Sequence, residues 1–122
     1  MIVGEMWKEF VDESLAGTAI FDLDTYAYLY VNKVFSEATG YSEEEIIEKH
    51  HLTFLAHPED RERLLSVLED VRAGKNFFSE FRYVKKNGEV RWVWGFLKKH
   101  GKFGIINFID ITRQKKLREE LE

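Results

Sequence analysis

At Gly74 the spacing of apolar residues changes from about 3.6 to 2, and this switch limits the fold more than any other feature of the chain. Before it, from Pro58, Leu64, Leu65, Leu68 and Val71 recur at helical spacing, with Glu59 and Asp60 in the positive first turn and Gly74 as the stop. After it, Phe77 to Lys85, Glu89 to Lys98 and Lys102 to Ile111 read as strands joined by Asn87-Gly88 and His100-Gly101. Asn-Gly between two such runs predicts a type I′ hairpin, whose two central residues both take positive φ. The second half is therefore an antiparallel three-strand unit preceded by a helix.

The first half supplies the complementary layer. Val3, Met6, Trp7, Phe10, Val11 and Leu15 have the spacing of an amphipathic helix that stops near Gly17. Thr18 to Leu23 and Tyr26 to Val31 are rich in β-branched and aromatic residues and read as a hairpin turning at Asp24-Thr25. Asn32 can cap a helix over Lys33 to Thr39, with Gly40 as its left-handed exit. Ser42 and Glu45 form a capping box for the next helix, with Tyr41 and Ile46 placed as a hydrophobic staple. The last segment, from Arg113, is polar and helical and carries too little apolar surface to stand alone. Helix, two strands, three helices, three strands and helix make an α+β domain, with helices grouped on one side of an antiparallel sheet. Residues 1–16 form a leading helix, 17–112 the core and 113–122 the start of an outgoing helix.

A chain of 122 residues, 44% hydrophobic and 15% aromatic, suffices for one core. A net charge of −4 argues against a nucleic-acid or anionic-membrane footprint. With no cysteine, disulfides, thiolate metal ligands and cysteinyl adducts are excluded. No apolar run approaches the roughly 20 residues of a membrane span, and the first residues lack the pattern of a secretory signal. A cytoplasmic setting is expected.

Several strings, in this order and at these intervals, resemble one family: Ile20-Phe21, Tyr30-Val31-Asn32, Thr39-Gly40-Tyr41-Ser42-Glu43-Glu44-Glu45, His57-Pro58-Glu59-Asp60, Glu80-Phe81-Arg82-Tyr83, Lys86-Asn87-Gly88-Glu89, Arg91-Trp92-Val93 and Asp110-Ile111-Thr112. The chain resembles the PAS domains of sensor kinases and related signalling proteins over essentially its whole length. The resemblance implies a five-stranded antiparallel sheet, one face covered by short helices that enclose a small cavity. It also implies a leading helix that packs on the outer face and favours a homodimer. The trailing helix would run on to an output domain, by analogy a histidine kinase, with a response regulator as that kinase's partner.

Each chemistry known in such a family can be weighed against these residues. The photochemical flavin adduct and the thioester chromophore require a cysteine. A haem sensor would place an axial histidine on the long helix, and Pro58 to Ala73 contains none. His50, His51, His57 and His100 read as loop and junction residues, and Glu43, Glu44 and Glu45 as first-turn charges rather than paired catalytic carboxylates. No oriented nucleophile or base is marked, so enzyme chemistry is not expected, and neither is a metal. Aromatic content leaves either a filled core or a pocket for a small apolar ligand, lined by Phe35, Ile47, Phe54, Leu68, Phe81 and Trp92 with Asn107 as polar anchor. Asp110, Ile111 and Thr112 are expected to fix the outgoing helix, and Leu117 and Leu121 to carry the signal onward. Val3, Trp7 and Phe10 are the expected dimer or docking surface. The competing function is a ligand-free dimerisation and domain-docking module.

Overall fold

The computed structural model describes residues 16–48 and 51–121. Strands β1 (Gly17–Asp22) and β2 (Tyr28–Val31) pair antiparallel around a turn organised by Asp22. Its carboxylate accepts the amides of Asp24 at 2.7 Å and Thr25 at 3.0 Å, which shapes the reversal before the strand resumes. Tyr26, expected within the second strand, instead takes a left-handed φ of 59°. That conformation is uncommon for a bulky residue. It is held by the Tyr26 carbonyl accepting from Leu52 N at 2.8 Å and by the Arg72 guanidinium lying 5.1 Å over the ring.

Asn32 is wholly buried because it serves three partners. Its Oδ1 accepts from the amides of Thr18 and Phe35, each at 2.9 Å, and its Nδ2 donates to Ala16 O at 2.9 Å. One side chain thus caps α1 (Lys33–Thr39) and ties that helix to β1. Gly40 closes α1 at φ 80°. Helix α2 (Glu43–Glu48) begins with the reciprocal Ser42 and Glu45 bonds, both 3.1 Å. Two 3₁₀ turns, Leu52–Phe54 and Pro58–Asp60, lead into α3 (Arg61–Arg72). Val67, Leu68 and Val71 form its buried stripe. Leu65, expected on that face, is 41% exposed, because it lies about 100° around the helix from Leu64.

Strands β3 (Phe77–Val84), β4 (Val90–His100) and β5 (Phe103–Asp110) form the antiparallel meander, and α4 (Thr112–Leu121) follows. The sheet order is β2-β1-β5-β4-β3, so the first hairpin joins the meander along β5. The Asn87-Gly88 hairpin departs from the predicted type I′ turn. Gly88 alone of the pair has positive φ, at 90°; Gly88 N donates to Lys85 O and Lys85 N to Glu89 O, each at 2.9 Å. The glycine therefore fills the single left-handed position of a longer loop, a bulge solution that the same dipeptide serves equally well.

Ala19, Phe21, Val93, Leu97 and Phe108 on one sheet face meet Phe35, Ile46, Leu68 and Val71 from the helices. Full burial of a side chain such as Phe21 or Leu68 is worth about 1.5–3 kcal/mol, and this shared core fixes α1, α2 and α3 on that face. The expected α+β class, a five-stranded antiparallel sheet with short helices on one face, is the one observed.

Candidate functional site

A cavity of about 90 Å³ lies between the inner sheet face and the helices. Phe35 and Thr39 of α1, Leu52 and Leu55 from the 3₁₀ region, Leu64 of α3, and Phe81, Tyr83, Val93, Gly95 and Phe108 of the sheet belong to its wall. Polar atoms in that wall are already engaged: Tyr28 Oη donates to Leu52 O and Thr39 Oγ1 to Ser36 O, both at 3.2 Å. Among the described residues no buried side-chain polar atom lacks a partner. The wall is thus mainly apolar, and its buried side-chain polar atoms already have partners within the fold.

Beside this cavity lies the root of α4. Arg91 Nε and Nη2 donate to the Asp110 carboxylate at 2.8 and 3.1 Å, in a two-pronged pairing. Asp110 Oδ1 also accepts Thr112 N at 2.9 Å, and Thr112 Oγ1 in turn accepts Trp92 N at 2.9 Å. Ile111 N donates to Trp92 O at 2.8 Å, which extends the β4 pairing past the strand and into the helix. Burial opposes the charge on Asp110, and the Arg91 guanidinium with the Thr112 amide outweighs it, so the carboxyl titrates below 3.8. For Asp60, burial is likewise outweighed by the Arg82 side chain and amide, the latter bonding at 2.9 Å.

Both shifts carry the same sign in stability. A carboxyl depressed in the fold stabilises it in full above the unfolded value of 3.8, and that contribution is lost as pH falls through the lower folded value. The urea midpoint should therefore hold from about pH 6 to 5 and drop between about pH 4 and 2. Asp110→Asn should flatten that drop; an unchanged acid limb in the variant would remove Asp110 from this account.

Of the seven expected pocket residues, Phe35 and Phe81 stand in the cavity wall. Leu68 is fully buried and Phe54 packs against the core, but neither is among the cavity-wall residues. Ile47 is half-buried, and its neighbour Ile46 takes the inward position on α2. Trp92 and Asn107 are corrections, because both lie on the outer sheet face. On β4 the buried positions are Val93, Gly95 and Leu97, so the alternate Trp92, Trp94 and Phe96 point away from the helices. Asn107 is opposite Phe96, and its Oδ1 accepts from Thr18 Oγ1 at 2.7 Å. Of the relay residues, Asp110, Ile111 and Thr112 meet at the root of α4, whereas Leu117 and Leu121 are 49% and 90% exposed. Val3, Trp7 and Phe10 lie outside the described residues. Tyr83, Arg91, Gly95 and Lys115 fall outside the expected site residues, although Tyr83 and Arg91 stand in the motifs that carry the resemblance; Tyr83 shares the strand phase of Phe81, which is the available signal.

Trp92 has another use on its own face. Lys115 Nζ of α4 sits 3.9 Å from its ring centroid and donates to Glu80 Oε2 at 2.6 Å. Arg82 covers the same ring at 5.2 Å. The first turns of α4 are thereby clasped to β3 and β4. Trp92→Ala should free α4 and cost about 1–2 kcal/mol, read as faster amide exchange over residues 115–121. Unaltered exchange there would show the clasp to be idle.

Among the described residues no group of three or more His, Asp or Glu side chains is placed to hold a metal ion, and no helix is long and apolar enough to cross a membrane.

A sheet of order 2-1-5-4-3, helices on one face, and a helix leaving from the end of β5 define a five-stranded α+β domain with a single helical layer. The chain belongs to the PAS fold family, whose model matches residues 28–104. A domain of a sensory box sensor histidine kinase/response regulator from Geobacter sulfurreducens shares the fold with TM-score 0.79 at 18% identity, covering 88% of this chain and 94% of that one. A PAS domain from a two-component sensor histidine kinase gives TM-score 0.74 at 18% identity over 89% and 96% of the two chains. A LOV protein of Rhodobacter sphaeroides gives 0.77 at 18% identity over 93% and 70%. No curated protein matches the sequence.

Proposed function

We propose that this PAS domain is a sensory module that passes a conformational bias through α4 to an output domain, with a histidine kinase as that domain and a response regulator beyond it. The observation that carries the reading is a register: Val93, in the cavity wall, is paired with Asp110, which anchors the outgoing helix. Occupancy of the cavity and the set of α4 thus bear on one residue pair. The module makes and breaks no covalent bonds; it works by binding one of two arrangements more tightly than the other. Its ligand is small and apolar. A cavity of roughly 150 Å³ lined by Leu, Ile and Phe holds benzene or xenon, so 90 Å³ suits xenon and at most a single small ring.

The test is uptake of benzene and of xenon by the native chain, followed by ¹H–¹⁵N spectra. Shifts at Phe35, Leu97 and Phe108 are expected. Gly95→Ala supplies a control, because a Cβ there would meet Phe81 at an ordinary 3.5 Å while projecting into the cavity. It should stabilise the fold by about 0.4–1 kcal/mol and weaken uptake. Failure of wild type to take up either probe would end the small-ligand reading.

A second reading rests on the outer face, where Phe78, Trp94 and Ile109 are exposed and the Phe78 and Trp94 rings stack at 4.7 Å. A ligand-free dimerisation and docking module would use such a surface, with Val3, Trp7 and Phe10 as its other half. Light scattering on the chain and on Trp94→Ala separates the two readings: a dimer lost in the variant, with no probe uptake by wild type, favours docking.

A further inference from the structure

Tyr83 belongs at once to the cavity wall and to the root of α4. Its ring lines the cavity and lies 5.7 Å from that of Phe108. Its hydroxyl stands 3.2 Å from Ala38 O, in the last turn of α1, and 3.4 Å from Asp110 Oδ2. A phenol has a single proton to donate. Burial, followed by the nearby Asp110 charge, raises the Tyr83 pKa far above its ordinary value, so the group stays a neutral donor at physiological pH. Given to Ala38 O, the proton satisfies a helix-terminal carbonyl and leaves an oxygen lone pair towards Asp110. Given to Asp110, it joins the carboxylate that holds Arg91 and Thr112 N and releases the end of α1. The two acceptors thus sit in different layers, and the cavity borders each layer, Phe35 and Thr39 of α1 sharing its wall with Tyr83 of the sheet.

We infer that Tyr83 is the positioning residue that couples the cavity to the outgoing helix, its one hydroxyl proton choosing between Ala38 O and the Asp110 carboxylate. An occupant that presses on the Tyr83 ring changes that choice, and Thr112 registers it. The inference rests on the sensory reading of the cavity and deepens it.

Tyr83→Phe keeps the ring and removes the proton. In the ligand-free variant the Thr112 amide should exchange about 2- to 10-fold faster, the loss of one hydrogen bond's support at Asp110. In wild type, benzene should move the Thr112 amide and Arg91 Nε signals; in Tyr83→Phe it should still bind, shifting Phe35 and Leu97, while Thr112 stays put. A Thr112 response that is the same in both proteins overturns the inference, since a merely structural tyrosine would not separate binding from response. Should wild type take up neither benzene nor xenon, the sensory reading of the cavity is overturned, and the link from Tyr83 to Asp110 stands or falls on the ligand-free exchange alone. If Tyr83→Phe does not fold, wild type with ¹³C at tyrosine Cζ decides: the Tyr83 signal moves with benzene if the hydroxyl changes acceptor, and an unmoved signal in the bound state refutes the coupling.

Discussion

Replacing Asp110 by alanine is expected to lower the unfolding free energy by about 2–4 kcal/mol and to release α4 from the sheet. The carboxylate accepts two guanidinium hydrogens of Arg91 and the Thr112 amide. Its loss leaves the first-turn Thr112 amide and two Arg91 hydrogens without their acceptor, while Arg91 Nη1 keeps its bond to Glu89 Oε2 at 2.9 Å. The Asp110 side chain is 29% exposed, so water will re-solvate part of Arg91, which keeps the cost under that of a fully buried broken pair. Urea unfolding gives the free energy, and amide exchange over residues 112–121 gives the helix. A change within about 0.5 kcal/mol would place this pair among ordinary screened surface bridges. In a parent signalling protein the same substitution should uncouple input from output, and unaltered regulation would count against the proposed relay.

Gly104→Ala should cost about 2–3 kcal/mol, because the Phe21 ring occupies the space a Cβ would need and is itself fully buried. The ring has nowhere to swing without displacing the core. The contrast with Gly95 makes the comparison informative: both glycines lie in central strands and face inward, yet one is covered by a ring and the other borders empty space. Urea midpoints for Gly104→Ala and Gly95→Ala should move in opposite directions. A Gly104→Ala protein as stable as wild type would mean that β1 and β5 can separate locally to admit a methyl group.

What could be read from the chain alone followed from how local each cause is. The Asn32 cap on Phe35 N, the Gly40 exit and the Ser42–Glu45 box act within one helix turn, and each of these lies where the sequence places it. At the root of α4 only the Asp110 bond to the Thr112 amide is equally local; the Arg91 and Trp92 partners come from a separate strand and left no signal of this kind. The face of Trp92 was not legible, because a two-residue period fixes which residues share a face and leaves open which face is buried. On β4 both phases are apolar, Val93 and Leu97 against Trp92, Trp94 and Phe96, and the larger set is the outer one. Ile46 and Ile47 pose the same problem on a helix of six residues, too short for the period to separate them. Tyr26 shows tertiary context prevailing: its β-prone ring is held in a left-handed turn by partners from Leu52 and Arg72, far along the chain.

The sheet order has a practical consequence. Because β1 and β5 are neighbours and Gly17 pairs with Phe108, the polypeptide arrives and departs at adjacent positions on a single rim. Cα atoms opposed in such a ladder lie only about 5 Å apart. A host protein opened at one surface loop would accept residues 17–112 as a cassette with its own backbone little spread, and fluorophores fused on either side would report a short separation.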